Sequence, residues 1–290
     1  MAFISAAAFL RRGGTPLLMK ALLSSLSTPN PFDSIFSSQE ASDLLNIAQR
    51  AGVSRVGFLR HGKTNPKPLD GLDFDRLLTD QGGEQATTAG SLFGKELGPI
   101  YPRVLVSPSP RTVETASFFL NAAIGSDWEN QVELIPISGL YDGTMQPEGS
   151  ILFQKIGYAP LRDYVDIDAA IVSRGGEEEH SVIERDVQVA QKLLTAYARL
   201  TLEAIRSATA CNHPSSKNET NAGFHGHILW VVAHAVYLPA AALGLAAVAQ
   251  CDESSRDVIL RTNTLEAEGY LIDLNEAKAT YLSRSGGLST

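Results

Sequence analysis

The chain has 290 residues, of which 44% are hydrophobic and 19% are charged. This length and composition suit one large α/β domain with a full hydrophobic core. The net charge of −8 comes without a basic stripe, which excludes a general nucleic-acid binder, because neutralising phosphates needs clustered lysines and arginines. Two cysteines, Cys211 and Cys251, are too few for a disulfide framework or a metal cluster, so we expect both to be reduced.

Residues 1–34 differ in composition from the remainder of the chain. They are rich in Ala, Leu and Ser, and Arg11, Arg12 and Lys20 precede the first acidic residue, Asp33. Basic, Ser-bearing and acid-poor leaders are typical of organellar transit peptides. We therefore predict a targeting or disordered segment over 1–34, with a mitochondrial or plastid destination. A secretory signal and an untargeted cytoplasmic protein are the alternatives.

A helix and a buried strand are predicted next along the chain. Ser37 and Glu40 match a capping box for a helix that runs to Arg50, and Gly52 is placed to end this helix. Residues 55–59 follow as a short apolar run between breakers, which is typical of a buried strand.

A histidine follows this strand at a glycine turn. Arg60, His61 and Gly62 come directly after the apolar run, and Thr64 adds a hydroxyl group. Open α/β sheets bind their ligands at the carboxyl ends of strands. A phosphoryl group in transfer spreads negative charge over its oxygens, so fixed cations and donors stabilise it. The triplet therefore indicates phosphate chemistry if other parts of the chain supply further cations.

Two later segments bring such groups. Residues 104–106 form an apolar strand, and Arg111 falls in the first turn of the following helix, where free N–H groups favour anions. Residues 228–233 form another apolar strand, with His234 at its carboxyl end. The stretch 228–249 approaches the length of a membrane span. His234 and a proline interrupt this stretch, so we predict a strand and a buried helix instead.

The remaining segments complete an alternation of strands and helices. Residues 79–97 and 181–206 carry apolar side chains at helical spacing, and 132–137 are predicted as a strand. Residues 211–226 are polar without periodicity and predict an exposed, flexible loop. Residues 264–274 are predicted as a final strand or hairpin. The alternation predicts an α/β fold with three α/β/α layers and a mostly parallel central sheet.

These motifs together resemble the histidine phosphatase superfamily, the phosphoglycerate-mutase-like enzymes. The resemblance rests on the Arg60-His61-Gly62 triplet, on Arg111 with Thr115-Ala116 behind a serine turn, and on His234. It implies that residues 35–290 form one such domain and that His61 is phosphorylated during turnover. It also implies that Arg60, Arg111 and His234 hold the phosphate oxygens, with Thr64 as a further substrate contact.

The leaving oxygen of a phosphate ester needs a proton, which a protonated carboxylic acid can give. The resemblance places this acid in the region after the predicted strand 132–137. Asp142 is the predicted donor and Glu148 is the alternative, although Asp142 with the next glycine could also form a simple turn. We expect residues 139–180 to form a lid that selects the substrate.

The block 73–82 bears on the substrate, because it resembles the phosphohistidine phosphatase branch more than the mutases. We therefore predict a phosphatase that acts on a phosphomonoester or a phosphoramidate, on a small molecule or on a phosphoprotein. A cofactor-dependent phosphoglycerate mutase and a noncatalytic phosphate-binding protein are the alternatives. We expect no cofactor and no metal, since His225 and His227 have no carboxylate or cysteine cluster nearby in sequence. The oligomeric state stays open.

Overall fold

Seven strands form one sheet in the part of the chain that the computed structural model describes. That part comprises residues 31–67, 69, 71–95, 97–142, 147–166, 180–210, 226–285 and 287–289. The strands in chain order are β1 (Val53–Arg60), β2 (Ile100–Val106), β3 (Glu133–Pro136), β4 (His227–Ala233), β5 (Gly269–Asp273), β6 (Lys278–Ser283) and β7 (Gly287–Ser289). Their order across the sheet is β3-β2-β4-β1-β5-β6-β7.

The sheet is mixed. Strands β3, β2, β4 and β1 pair in parallel, as the alternation of strands and helices predicts. Strands β5, β6 and β7 are antiparallel and extend the sheet from β1. The predicted α/β class is confirmed, and the terminal hairpin is longer than the sequence pattern over 264–274 indicates.

Nine helices of the α class are described. They are α1 (Ser38–Arg50), α2 (Asp80–Ala89), α3 (Pro110–Ile124), α4 (Gly139–Asp142), α5 (Pro147–Ile156), α6 (Leu161–Val165), α7 (His180–Ala210), α8 (Tyr237–Val248) and α9 (Glu253–Arg261). The apolar side chains of α1, α7 and α8 join one buried cluster, and those of α2 and α3 join a second. Neighbouring residues of β4 alternate between these clusters, with Val231 in the first and Trp230 in the second. The helices therefore cover both faces of the sheet.

Two helix predictions show how local chemistry sets the boundaries. Helix α1 begins with the predicted capping box, in which Ser37 and Glu40 exchange hydrogen bonds with each other's backbone N–H groups. Gly52, with φ of +76°, follows the end of α1 in the left-handed region. The helix predicted over 79–97 is shorter, because α2 ends at Ala89 and a π-helical turn, Gly90–Gly94, continues it.

The parallel register places the predicted site residues side by side. Arg60 in β1 lies opposite Ala233 in β4, so the next residues, His61 and His234, are neighbours. Val106 in β2 lies opposite residue 232 of β4, which brings the turn after β2 to the same edge. Three separate strand ends thus meet at one crevice, as expected for an open α/β sheet.

Helix α8 is buried along nearly its whole length and packs on the sheet. Among the described residues, no helix is long and apolar enough to cross a membrane. Several predictions fall on other parts of the chain. The targeting segment up to residue 30, most of the predicted loop 211–226, and residues 143–146 and 167–179 of the predicted lid lie outside the described residues.

Candidate active site

The rings of His61 and His234 face each other at the edge of the sheet. Their centroids are 5.2 Å apart and the ring planes are inclined by 63°. The Nδ1 atom of His61 lies 2.8 Å from the carbonyl oxygen of Gly62. Because a carbonyl oxygen only accepts hydrogen bonds, Nδ1 carries the proton. The lone pair of the neutral ring is therefore on Nε2.

Hydrogen bonds to the backbone fix the turn that carries His61. The N–H of Gly62 donates to Thr115 Oγ1 at 3.0 Å, and this hydroxyl donates to the Arg111 carbonyl at 2.6 Å. The N–H of Lys63 donates to Gln85 Oε1 at 2.8 Å. Helices α3 and α2 thus hold the turn from two sides, and Thr115 links it to the backbone beside Arg111.

The turn also packs directly against the backbone of α2. A Cβ atom placed on Gly62 would lie 2.4 Å from the carbonyl oxygen of Gly82, and one placed on Gly82 would lie 2.1 Å from the Lys63 carbonyl oxygen. Side chains have no room at either position, so both glycines are needed for this close approach. The N–H of Thr79, the N-cap of α2, donates to the Lys63 carbonyl at 2.9 Å.

Burial, together with the charges of Arg60, Arg111 and Arg76, lowers the pKa of His61 to about 3, although the bond to the Gly62 carbonyl opposes the shift. Burial also holds the pKa of His234 well below its usual range, with added repulsion from His61 and Arg111. Both rings are therefore neutral at pH 7. The Nε2 atom of His234 lies 2.8 Å from the buried hydroxyl of Ser107.

We expect the His61 ring to stay neutral from about pH 7.5 down to about pH 5, because burial and the nearby arginine charges disfavour a positive charge on the ring. An ordinary histidine takes up a proton near pH 6.5, so between that value and the folded pKa the unfolded chain binds more protons. The free energy of unfolding should fall as the pH drops through this window. Ring ¹H–¹⁵N spectra, assigned with His61→Asn, would show the titration, and a His61 midpoint near pH 6.5 contradicts this expectation.

Arg111 is only 4% exposed, and its guanidinium binds a carboxylate. Its Nη2 donates to Asp73 Oδ2 at 2.8 Å, and its Nη1 donates to the Asp73 carbonyl. Its Nε is buried without a hydrogen-bond partner among the described residues. The guanidinium also lies over the Tyr141 ring, with Cζ 5.7 Å from the centroid. Arg111 thus offers a positive charge and a free donor at the crevice.

A second arginine, Arg76, shares the carboxylate of Asp73. Its Nη1 donates to Asp73 Oδ1 at 3.0 Å, and its Nη2 donates to the hydroxyl of Thr64. Burial raises the pKa of Asp73, but hydrogen bonds and charge from Arg76 and Arg111 outweigh burial and lower the pKa below its usual value. Asp73 is therefore ionised at neutral pH. Thr64, predicted to contact the substrate, contacts Arg76 and does not line the cavity beside His61.

Arg60, which directly precedes His61 in the chain, is 8% exposed and is not among the residues that line the cavity beside His61. Its Nη1 donates to the Thr264 carbonyl at 2.7 Å, and its guanidinium lies over the Tyr158 ring at 5.2 Å. Its Nε is a second buried donor without a partner among the described residues. The two arginines predicted from sequence thus both bring an unpaired N–H and a positive charge to the neighbourhood of His61.

A cavity of about 190 Å³ opens beside the histidine pair. Its polar end is formed by the side chains of His61, Asp73, Arg76, Arg111 and His234. Its other walls come from Tyr141 of α4, from α5, α6 and α7, from the start of α8 with the two residues before it, and from Tyr158 between α5 and α6. The structure therefore joins an anion-binding end to a space enclosed by helices.

The structure brings His61, Arg111 and His234 to one cavity, with Arg60 adjacent. The side chains of the two predicted proton donors, Asp142 and Glu148, lie outside the described residues. Asp142 ends α4 directly after Tyr141, which lines the cavity, and Glu148 belongs to α5, whose later residues also line it. Their roles stay predictions. No group of three or more His, Cys, Asp or Glu side chains able to hold a metal occurs among the described residues.

Sequence reasoning assigned no role to Asp73 or Arg76, although both stand in the block 73–82. That block was itself a signal, because it combines three acids and an arginine around the cap of α2. Sequence reasoning also missed the aromatic walls of the cavity. Their residues are scattered over 141–237 and share no sequence motif.

No family model matches the chain, and no curated protein matches it significantly in sequence. Solved structures do match. Phosphoserine phosphatase from Entamoeba histolytica is 15% identical, with a TM-score of 0.40, over 79% of this chain and 95% of its own. Phosphoglycerate mutase from Bacillus anthracis is 16% identical, with a TM-score of 0.42, over 81% and 94%. A mycobacterial glucosyl-3-phosphoglycerate phosphatase is 15% identical, with a TM-score of 0.41, over 82% and 100%.

Two of these structures are named as phosphatases and one as a mutase. Identities of 15–16% and TM-scores of 0.40–0.42 do not by themselves assign an activity to this chain. The arrangement of His61, His234 and the arginines must therefore support any functional assignment.

Proposed function

We propose that the chain is a phosphatase that forms a phosphohistidine on His61. The observation that carries the proposal is the setting of this ring: its Nδ1–H is bound to the Gly62 carbonyl, its lowered pKa keeps it neutral, and no described residue binds its Nε2. A neutral imidazole held in place is a competent nucleophile toward phosphorus. The charges of Arg60, Arg111 and Arg76 act on this ring and would stabilise a phosphoryl group transferred to it.

The first step forms a bond between His61 Nε2 and phosphorus and breaks the bond between phosphorus and the leaving group. Negative charge on the transferred group would be stabilised by Arg111 and Arg60, whose buried Nε–H groups have no other partner among the described residues. His234 would donate to a phosphate oxygen from one ring nitrogen while the Ser107 hydroxyl holds the other. The leaving group departs with a proton, for which Asp142 is the proposed donor and Glu148 the alternative.

In the second step, water gives a proton to the carboxylate that served as the donor and attacks phosphorus, the bond to His61 Nε2 breaks, and inorganic phosphate leaves. The neutral imidazole is thereby regenerated, so one displacement is divided into two. Asp73 is the carboxylate at the polar end of the cavity. Because its pKa is lowered, it cannot protonate the leaving group at neutral pH.

The test is to trap the intermediate. The full chain is mixed with ³²P-labelled acetyl phosphate and with labelled phosphate monoesters, quenched in alkali, and examined for acid-labile label located by mass spectrometry. We expect label on His61 in the wild type and none in His61→Asn. The matched control is His227→Ala, which removes a histidine at the opposite end of β4, next to Tyr101, and should retain the label. Turnover by the wild type without any phosphohistidine would refute the covalent mechanism.

A further inference from the structure

The cavity beside His61 is polar at one end only. Beyond the histidines, the arginines and Asp73, the side chains that line it are aliphatic or aromatic. They are Tyr141 of α4, Leu152 and Phe153 of α5, Tyr164 of α6, Ala190, Leu193 and Leu194 of α7, Tyr158, and Ala235, Val236 and Tyr237 after β4. None of these lining residues carries a charge at neutral pH. A group bound there would exchange water for apolar surface and would find no charged partner.

Ring-to-ring contacts fix several of these walls. Tyr141 packs edge-to-face on Phe74, with centroids 4.9 Å apart, and on His234 at 5.4 Å. Phe153 packs edge-to-face on Tyr158 at 5.0 Å. Tyr237 stacks on a buried tyrosine of α7 at 4.9 Å. The aromatic side chains are therefore held in place before a ligand arrives, which lowers the entropic cost of binding.

The tyrosine hydroxyl of Tyr164 does not make the cavity polar, because it donates to the Gly157 carbonyl at 2.5 Å. Its ring is buried and lines the cavity. Aromatic walls favour an aromatic guest, because rings attract one another in offset and edge-to-face arrangements beyond the effect of buried area. A carboxylated guest would lose its hydration there and find no positive charge to compensate the loss.

We infer, on the basis of the proposed function, that the substrate is an aryl phosphate, whose phosphate lies between Arg111 and His61 and whose ring occupies the apolar end. The chemistry agrees with this geometry. A phenol is ionised near pH 10, so a phenolate departs from phosphorus more readily than an aliphatic alkoxide does. The demand on a proton donor is correspondingly smaller.

Binding of phosphonates tests the inference without turnover and without differences between leaving groups. The full chain is titrated by calorimetry with benzylphosphonate, cyclohexylmethylphosphonate and 2-carboxyethylphosphonate. We expect benzylphosphonate to bind at least tenfold more tightly than the carboxylate and several-fold more tightly than the cyclohexyl compound. If 2-carboxyethylphosphonate binds as tightly as benzylphosphonate or more tightly, the inference is overturned. If benzylphosphonate and cyclohexylmethylphosphonate bind equally, the preference for an aromatic ring is overturned.

Variants on one helix sharpen the test. Leu193→Gln puts an amide group into the apolar end of the cavity and should weaken the binding of benzylphosphonate at least tenfold. Leu200→Gln is the matched control, because Leu200 is also half-buried on α7 but packs on Gly139 and does not line the cavity. Phe153→Leu keeps an apolar wall without the ring and should narrow the difference between the two ring compounds. An unchanged affinity in Leu193→Gln would count against the apolar end as the binding site.

The labelling of His61 and the binding of phosphonates test two different proposals, so together they distinguish a failure of the aryl substrate from a failure of the phosphatase mechanism. If His61 is labelled but 2-carboxyethylphosphonate binds more tightly than benzylphosphonate, the proposed phosphatase mechanism stands and the aryl phosphate substrate is refuted. If benzylphosphonate binds most tightly but His61 is not labelled, the protein binds aryl phosphates and the proposed catalytic mechanism is refuted. A small phosphoarene and a phosphotyrosine peptide, compared as substrates of the wild type, then distinguish the two sources of an aryl phosphate.

Discussion

Replacing Arg111 with Ala should lower the rate of phosphoenzyme formation from acetyl phosphate by about a thousandfold, close to the loss when one fixed transition-state donor is removed. Arg111 is buried, charged, and has an Nε–H without a partner among the described residues. Arg111→Lys should recover only part of the rate, because an ammonium group lacks the planar fork that binds two oxygens at once. Rapid-quench measurement of labelled protein gives the rates.

The control for this prediction is Arg103→Ala. Arg103 lies in β2, pairs with Glu133 at 3.3 Å, and does not line the cavity. Its removal should leave the rate within about twofold of the wild type, since it makes no contact with a transferring phosphoryl group. Urea unfolding of both variants shows whether each is folded at the assay temperature. A rate in folded Arg111→Ala equal to that of Arg103→Ala would exclude Arg111 from phosphate binding.

Replacing Gly82 with Ala should destabilise the protein by about 3 kcal/mol, because the added methyl group meets a backbone that has no free space. The Cβ atom would lie 2.1 Å from the Lys63 carbonyl oxygen, so the turn that carries His61 must move away from α2. We expect phosphoenzyme formation to fall as well. Urea denaturation measures the first effect and labelling with acetyl phosphate measures the second.

The neighbouring residue Gly83 provides a matched control in the same helix. A Cβ atom on Gly83 would meet only the Phe118 ring, at 3.3 Å, and this ring is 45% exposed and free to shift. Gly83→Ala should therefore be neutral or should stabilise the protein by about 0.5–1 kcal/mol, the usual gain from alanine in a helix. Equal destabilisation by the two substitutions would contradict the close contact between the turn and α2.

The strand ends that carry the site were predictable from sequence because each combines a short apolar run with a breaker. Residues 55–59, 104–106 and 228–233 all lie within observed strands, and parallel pairing brings their ends together. Arg111 likewise lies in the first turn of α3, as its position after the Ser/Pro turn predicts. These features depend on local patterns and on one general rule for parallel sheets.

The partners of these residues were not predictable, because they depend on packing between distant elements. Asp73 reaches Arg111 from 38 positions away, and Thr264 reaches Arg60 from 204 positions away. The aromatic walls come from helices whose faces are set by how α5, α6 and α7 pack on one another. Helix α9 and strands β6 and β7 also lie beyond what the sequence pattern predicted.

Asp73 gives the anion-binding end a selectivity of its own. Its carboxylate is bound by Arg111 and Arg76, so any anion that enters must compete with a carboxylate already in place. A monoanion such as acetate or chloride brings no more charge than Asp73 and gains little by the exchange. A phosphate dianion brings twice that charge and several acceptor oxygens. If the site binds phosphate as proposed, we therefore expect the carboxylate shared by the two arginines to make it discriminate between anions by charge before any chemistry begins.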